Sequence, residues 1–209
     1  DSKARLQIQR GDDVSETMAQ MWAVCDELGD PQAIADTTAL EGERAYYEGR
    51  PEEALVKLRE ATPQMGQNTA LGWVSQVIAG TILGDVEAVR AAEEPLRKDP
   101  QYNNATAATT ELASGCLAAL EGRVSDAVAL FGRSVEHFEA AGWHYWTAFA
   151  RVLALRTMPS EPAFEGWAEA ARERLEPIGA KPALRLLDET RSRAQTASQA
   201  PSIEARTRR

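Results

Sequence analysis

Hydrophobic residues recur along this chain at helical spacing, in stretches that each close on a glycine or a proline. Met18, Met21, Trp22, Cys25 and Leu28 fall on one helical face, with Asp12 or Asp13 placed to cap the start and Gly29 to end it. The same reading predicts helices over 12–28, 31–48, 51–64, 68–83, 85–98, 104–121, 125–141, 143–158, 161–178 and 182–196, after a short stub over 2–10. Pro31, Pro51 and Pro182 stand where a first helical turn tolerates a missing N–H, and Pro100 closes the helix before it. No stretch alternates polar and apolar residues for more than a few positions, so the expected class is all-α.

The glycines fall into two interleaved series. One is Gly29, Gly66, Gly142 and Gly179, with Asn103 near the missing place; the other is Gly11, Gly49, Gly84 and Gly122, with Pro159 next. The step within each series is about 37 residues, and the offset is about half of that. Two offset breakers per period describe a repeated helical hairpin. The expected architecture is a right-handed α-solenoid of antiparallel hairpins over 1–197, with units near 1–29, 30–66, 67–101, 102–142 and 143–180 and a capping helix at 181–197. A polar, basic tail is expected over 198–209.

Residues 46–55 (Tyr46-Tyr47-Glu48-Gly49-Arg50-Pro51-Glu52-Glu53-Ala54-Leu55) resemble the hairpin turn of a tetratricopeptide repeat, with small residues at Gly42 and Ala61. Gly115, Gly122, Asp126, Ala127 and Phe131 repeat the pattern. The second unit keeps Gly84, Glu87 and Ala88 with a turn one residue shorter, and the fourth puts Phe164 where Ala is expected. The array is therefore tetratricopeptide-like and degenerate, with a step longer than the family's usual period of about 34. Residues 170–182, with Leu186-Leu187-Asp188-Glu189, resemble the last repeat and cap of large bacterial regulators. That resemblance implies an upstream STAND-type ATPase, with a nucleotide cyclase or DNA-binding output module. Gly11 keeps the turn period with only ten residues before it, so an array continuing upstream is expected, an atypical cap being the alternative.

Composition narrows the role. A net charge of −9 disfavours nonspecific binding to nucleic acid. No apolar run reaches the length of a membrane span and no signal peptide is visible, so a cytoplasmic protein with no membrane partner is expected. Cys25 and Cys116 lack metal or redox spacing and read as small buried residues. His137 and His144 straddle the break at Gly142 and do not share a helix face. None of the phosphate-loop, dinucleotide, zinc-protease or serine-hydrolase signatures is present, so no enzyme activity and no cofactor are expected.

One constellation remains. If the first helix of each hairpin lines a concave wall, that wall carries Glu43, Tyr46 and Tyr47, then Val74, Ile78 and Thr81, then Leu112, Cys116 and Ala119, then Trp146, Phe149, Leu153 and Arg156. The contact candidates are Glu43, Tyr46, Tyr47, Ile78, Thr81, Leu112, Trp146, Phe149 and Arg156. The row forms either a groove for a helix or peptide with aromatic anchors at both ends, or a wall buried by tight curvature. The expected role is a non-catalytic interaction or regulatory module, its partner a protein, a peptide or upstream domains of the same polypeptide. The alternatives are an inducer-sensing domain, for a small molecule such as a sugar, and a homodimer.

Overall fold

The computed structural model describes residues 2–98 and 104–199. Eleven α-helices account for most of the described residues: α1 (Ser2–Arg10), α2 (Ser15–Leu28), α3 (Pro31–Tyr47), α4 (Pro51–Ala61), α5 (Thr69–Leu83), α6 (Val86–Lys98), α7 (Asn104–Leu120), α8 (Val124–Ala140), α9 (His144–Thr157), α10 (Trp167–Leu175) and α11 (Lys181–Gln199). No strand occurs among the described residues, so the chain is all-α. No helix is long and apolar enough to cross a membrane, among those described. Asn103 and Pro100 lie outside the described residues, as do residues 200–209 of the expected tail. The helix α11 runs three residues past its expected end at 196.

The glycine rhythm has one structural cause. Gly11, Gly49, Gly84, Gly122, Gly142 and Gly179 all take positive φ. At each, the glycine N–H bonds the carbonyl three residues back and the next N–H bonds the carbonyl five back, as in Gly49 to Tyr46 (3.2 Å) and Arg50 to Ala45 (2.8 Å). This left-handed cap satisfies carbonyls that the ending helix would otherwise strand, at a conformation that a Cβ makes costly.

Small residues then set how closely each hairpin closes. A Cβ on Gly42 would lie 2.7 Å from Leu58 Cγ, and one on Gly115 would lie 3.3 Å from Phe131 Cδ1. Both glycines stand seven residues before a turn glycine, and both partners stand nine after it. Ala54, Ala88 and Ala127, in the matching positions of the return helices, are fully or almost fully buried. Thus α3 packs on α4, α5 on α6 and α7 on α8 at close helix separation.

Two expected helices are interrupted. The stretch over 51–64 gives way after Ala61 to 3₁₀ turns at Thr62–Gln64 and Gly66–Asn68. The stretch over 161–178 is broken into a 3₁₀ turn at Pro162–Phe164 and the shorter α10, separated by Gly166 at φ 75°. The break buries Phe164, which stacks on Trp167 at 4.4 Å and meets the edge of Phe131 at 6.0 Å. An aromatic ring cannot occupy a site shaped for Ala on a regular helix, and the backbone gives way to seat it.

The helices sort into two layers. The helices α4, α6, α8 and α10 pack chiefly on their neighbours in sequence. The odd-numbered helices also meet one another: α1 with α3, α3 with α5, α5 with α7 and α9, α7 with α9, and α9 with α11. The first and last helices touch as well, where Gly11 sits against Pro182 and Asp12 approaches Lys181 at 3.9 Å.

Candidate functional site

The inner row of side chains faces this odd-helix layer, and almost all of it is out of water. Tyr46, Tyr47, Ile78, Leu112 and Phe149 are buried, as are Glu43 and Thr81. Trp146 and Arg156 are half-buried. Most of the row is packed against neighbouring helices rather than presented to solvent.

The closure has a specific origin. The two aromatic groups placed at opposite ends of the row meet each other. Tyr47 on α3 and Tyr145 on α9 are hydrogen-bonded through their hydroxyls. Phe149 lies 5.8 Å from the Tyr47 ring and 5.6 Å from Tyr145, and Trp146 continues the cluster to Phe138 at 6.0 Å. Burial, followed by neighbouring charge, pushes the Tyr46, Tyr47 and Tyr145 hydroxyls well above the usual tyrosine range, so they act as neutral donors and acceptors. Arg185 of α11 donates to the Tyr47 carbonyl and Arg156 donates to the Ile82 carbonyl at 3.0 Å, tying distant helices together.

Glu43 is held, not presented. Arg5 of α1 grips it with Nε and Nη2, both at 3.0 Å, and Ser75 donates to it at 3.2 Å. Burial opposes the Arg5 charge, but the Glu43 charge and hydrogen bonds outweigh it and hold the guanidinium above its ordinary value. Arg5 lay in a stub that offered no periodicity to read, so the sequence reading missed this partner. Arg151 and Arg156 go the other way: burial pulls both down, and each has one terminal nitrogen without a hydrogen-bond partner among the described residues.

The histidines are far apart in role. His137 pairs with Glu111 at 2.7 Å, and His144 lies 3.1 Å from Arg174, which also bonds Glu139. Trp143 stacks on Phe138 at 6.1 Å. Cys25 and Cys116 are both buried free thiols, and burial pushes Cys116 up to about 12.

Of the several concavities outside the filled wall, two involve the N-terminal helices α1 and α2. One, of about 360 Å³, lies where the chain's first and last helices meet, and Gly11, Asp12, Arg44, Tyr47, Glu48 and Arg185 are among its lining. The other, also about 360 Å³, is an open groove between α2 and α3, lined by Thr17, Gln20, Met21, Val24, Cys25, Ala33, Asp36 and Thr37. Val24, on its α2 side, is 51% exposed; Leu28, one turn on and beyond the lining, is 65% exposed, and Ile34 of α3, next to the lining residue Ala33, is 39% exposed. Met21 and Leu28 share the helical spacing read from the sequence, yet Met21 packs against the core and Leu28 is exposed. Helical spacing reveals which side chains share a face but not what, if anything, covers it.

Compared with known proteins, the chain matches no family model, no curated protein and no solved structure.

Proposed function

We propose that this chain is a non-catalytic interaction module, a tetratricopeptide-like α-solenoid whose inner wall is consumed by its own packing and whose docking surface is the α2–α3 groove. The observation that carries the reading is the contrast between the two faces. The inner row is closed by Tyr47, Tyr145 and Phe149, while Val24 and Leu28 form an apolar stripe open to solvent beside a concavity that half-buried Met21 also lines. The inner-groove contact expected at Tyr46, Tyr47, Trp146 and Phe149 is accordingly moved to α2. The resemblance of residues 170–189 to the cap of bacterial regulators supports a place in a larger signalling or transcription regulator, where a partner on α2 would bias the state of the whole.

Selection of binders from a displayed library of helical peptides tests this. Enriched peptides should lose binding to the Val24→Ser/Leu28→Ser variant while keeping it for Trp146→Ala. A library that enriches only peptides indifferent to the α2 substitutions overturns the reading.

One observation favours a second reading, a small-molecule sensor. The cavity where α1 and α11 meet carries charges of both signs, Asp12, Asp13 and Glu48 against Arg44 and Arg185, around a partly apolar wall. Saturable binding of a small zwitterion or sugar that Arg185→Ala abolishes would establish it in place of the first.

A further inference from the structure

The charge of this molecule is not spread over it. Residues 11–43 hold nine Asp and Glu and no Lys, Arg or His. That equals the whole net charge of −9, and the other 23 acidic residues balance the 23 Lys and Arg. The segment comprises α2, most of α3 and the turns beside them, the walls of the open groove.

Most acidic side chains elsewhere are answered. Arg50 bridges Glu48 and Glu53, Arg90 and Arg123 share Glu121, and Arg174 takes Glu139. In the acidic segment, Arg5, Lys57 and Arg10 reach Glu43, Glu41 and Asp12. Asp13, Glu16, Asp26, Glu27, Asp30 and Asp36 have no ion pair among the described residues. Asp36 borders the groove itself; its Oδ2 accepts from Asn68 at 3.0 Å, while its Oδ1 is enclosed with no donor among the described residues. A groove with an apolar floor, Asp36 on its border and walls drawn from the acidic segment is complementary to a surface with an apolar stripe between cations.

The geometry points to a basic amphipathic helix of a partner protein as the occupant of the α2–α3 groove. This rests on the interaction-module reading above and names its partner's chemistry. A helix suits the site because the lining comes from two helices, whose interior backbone groups are already paired and leave an extended peptide no strand edge to join, whereas a helix satisfies its own. Met21, Val24 and Leu28 recur at helical spacing, the pattern that meets i, i+3/i+4, i+7 anchors, and the 14 residues of α2 run about 21 Å, enough to face four turns of a partner. Phosphate backbones and anionic lipid surfaces are repelled by the same charge. A twofold contact with a second copy would set two acidic faces against each other.

Fluorescence anisotropy on the full chain tests this with three labelled synthetic peptides of about 14 residues each. One is a Leu/Lys sequence with helical periodicity, one its Leu/Glu counterpart, and one the Leu/Lys composition in an order without that periodicity. The periodic Leu/Lys peptide should bind about tenfold or more tighter than either control and weaken steeply between about 50 and 300 mM salt. Val24→Ser/Leu28→Ser should cost about tenfold, and Asp26→Asn/Glu27→Gln should flatten the salt dependence, with circular dichroism unchanged in both. If Leu/Glu binds as tightly and is lost in the serine variant, the basic partner is wrong while the groove stands. If Leu/Lys binding ignores the serine variant, the attraction is diffuse and groove and module readings both fall. A dimer that the serine variant dissolves makes the occupant a second copy. Tighter Leu/Lys binding on replacing Arg206, Arg208 and Arg209 with Gln makes it the chain's own tail, and either result overturns the proposal.

Discussion

Glu43 shows how position can mislead at the scale of one residue. A carboxylate on the inner face of a first helix reads as a presented contact, yet here it neutralises Arg5 and accepts from Ser75. Removing one member of such a pair leaves the other charge largely out of water and without its two-pronged partner, and that penalty exceeds the net worth of the pair. Glu43→Ala should therefore destabilise the fold by about 3 kcal/mol in urea titration, whereas the double variant Arg5→Met/Glu43→Leu should lose less than Glu43→Ala alone. If the single variant costs as little as a surface charge, Arg5 and Glu43 do not form a buried pair in solution. Nothing in the sequence marked Arg5, because a long-range ion pair leaves no local pattern at either end.

At the scale of elements, the hairpins are set by what is missing from a side chain. Gly42 allows α3 to approach α4 until Leu58 fills the space where its Cβ would stand. Gly42→Val should cost about 2 kcal/mol of stability, and adding Leu58→Ala should cost less than the sum of the two single changes, since the first overpacks the site that the second empties. Gly132 lies inside α8 with open space around it, so Gly132→Ala should instead stabilise by up to about 1 kcal/mol through helix propensity. Thermal or denaturant unfolding separates these; destabilisation by Gly132→Ala would show that the two glycines are not distinguished by packing. The small positions were legible because two hairpins repeat them at the same distance from the turn glycine, Gly42 and Gly115, while the break at Gly166 was not, because Gly-Trp in a polar stretch gives no periodic cue.

At the scale of the whole molecule, contacts between helices far apart in sequence alter what a repeat array would do. In a linear array each unit touches only its neighbours, and a lesion stays local. Here α3 and α9 share the Tyr47–Tyr145–Phe149 cluster, and α1 reaches α11. Phe149→Ala should cost about 3–5 kcal/mol and accelerate amide exchange in α3 as well as in α9. Acceleration confined to α8–α11 would mean that the two ends behave as independent repeats. The sequence by itself determined most of the helices, their left-handed glycine caps and the small positions at Gly42 and Gly115, because caps, periodicity and small residues act within a few turns of chain. It also carried the concentration of charge over residues 11–43, since composition needs no fold. Only the tertiary structure decided which apolar row is closed and which stays open to solvent. Burial there depends on contacts between side chains far apart in the chain, such as Tyr47 and Tyr145, and no local pattern encodes them.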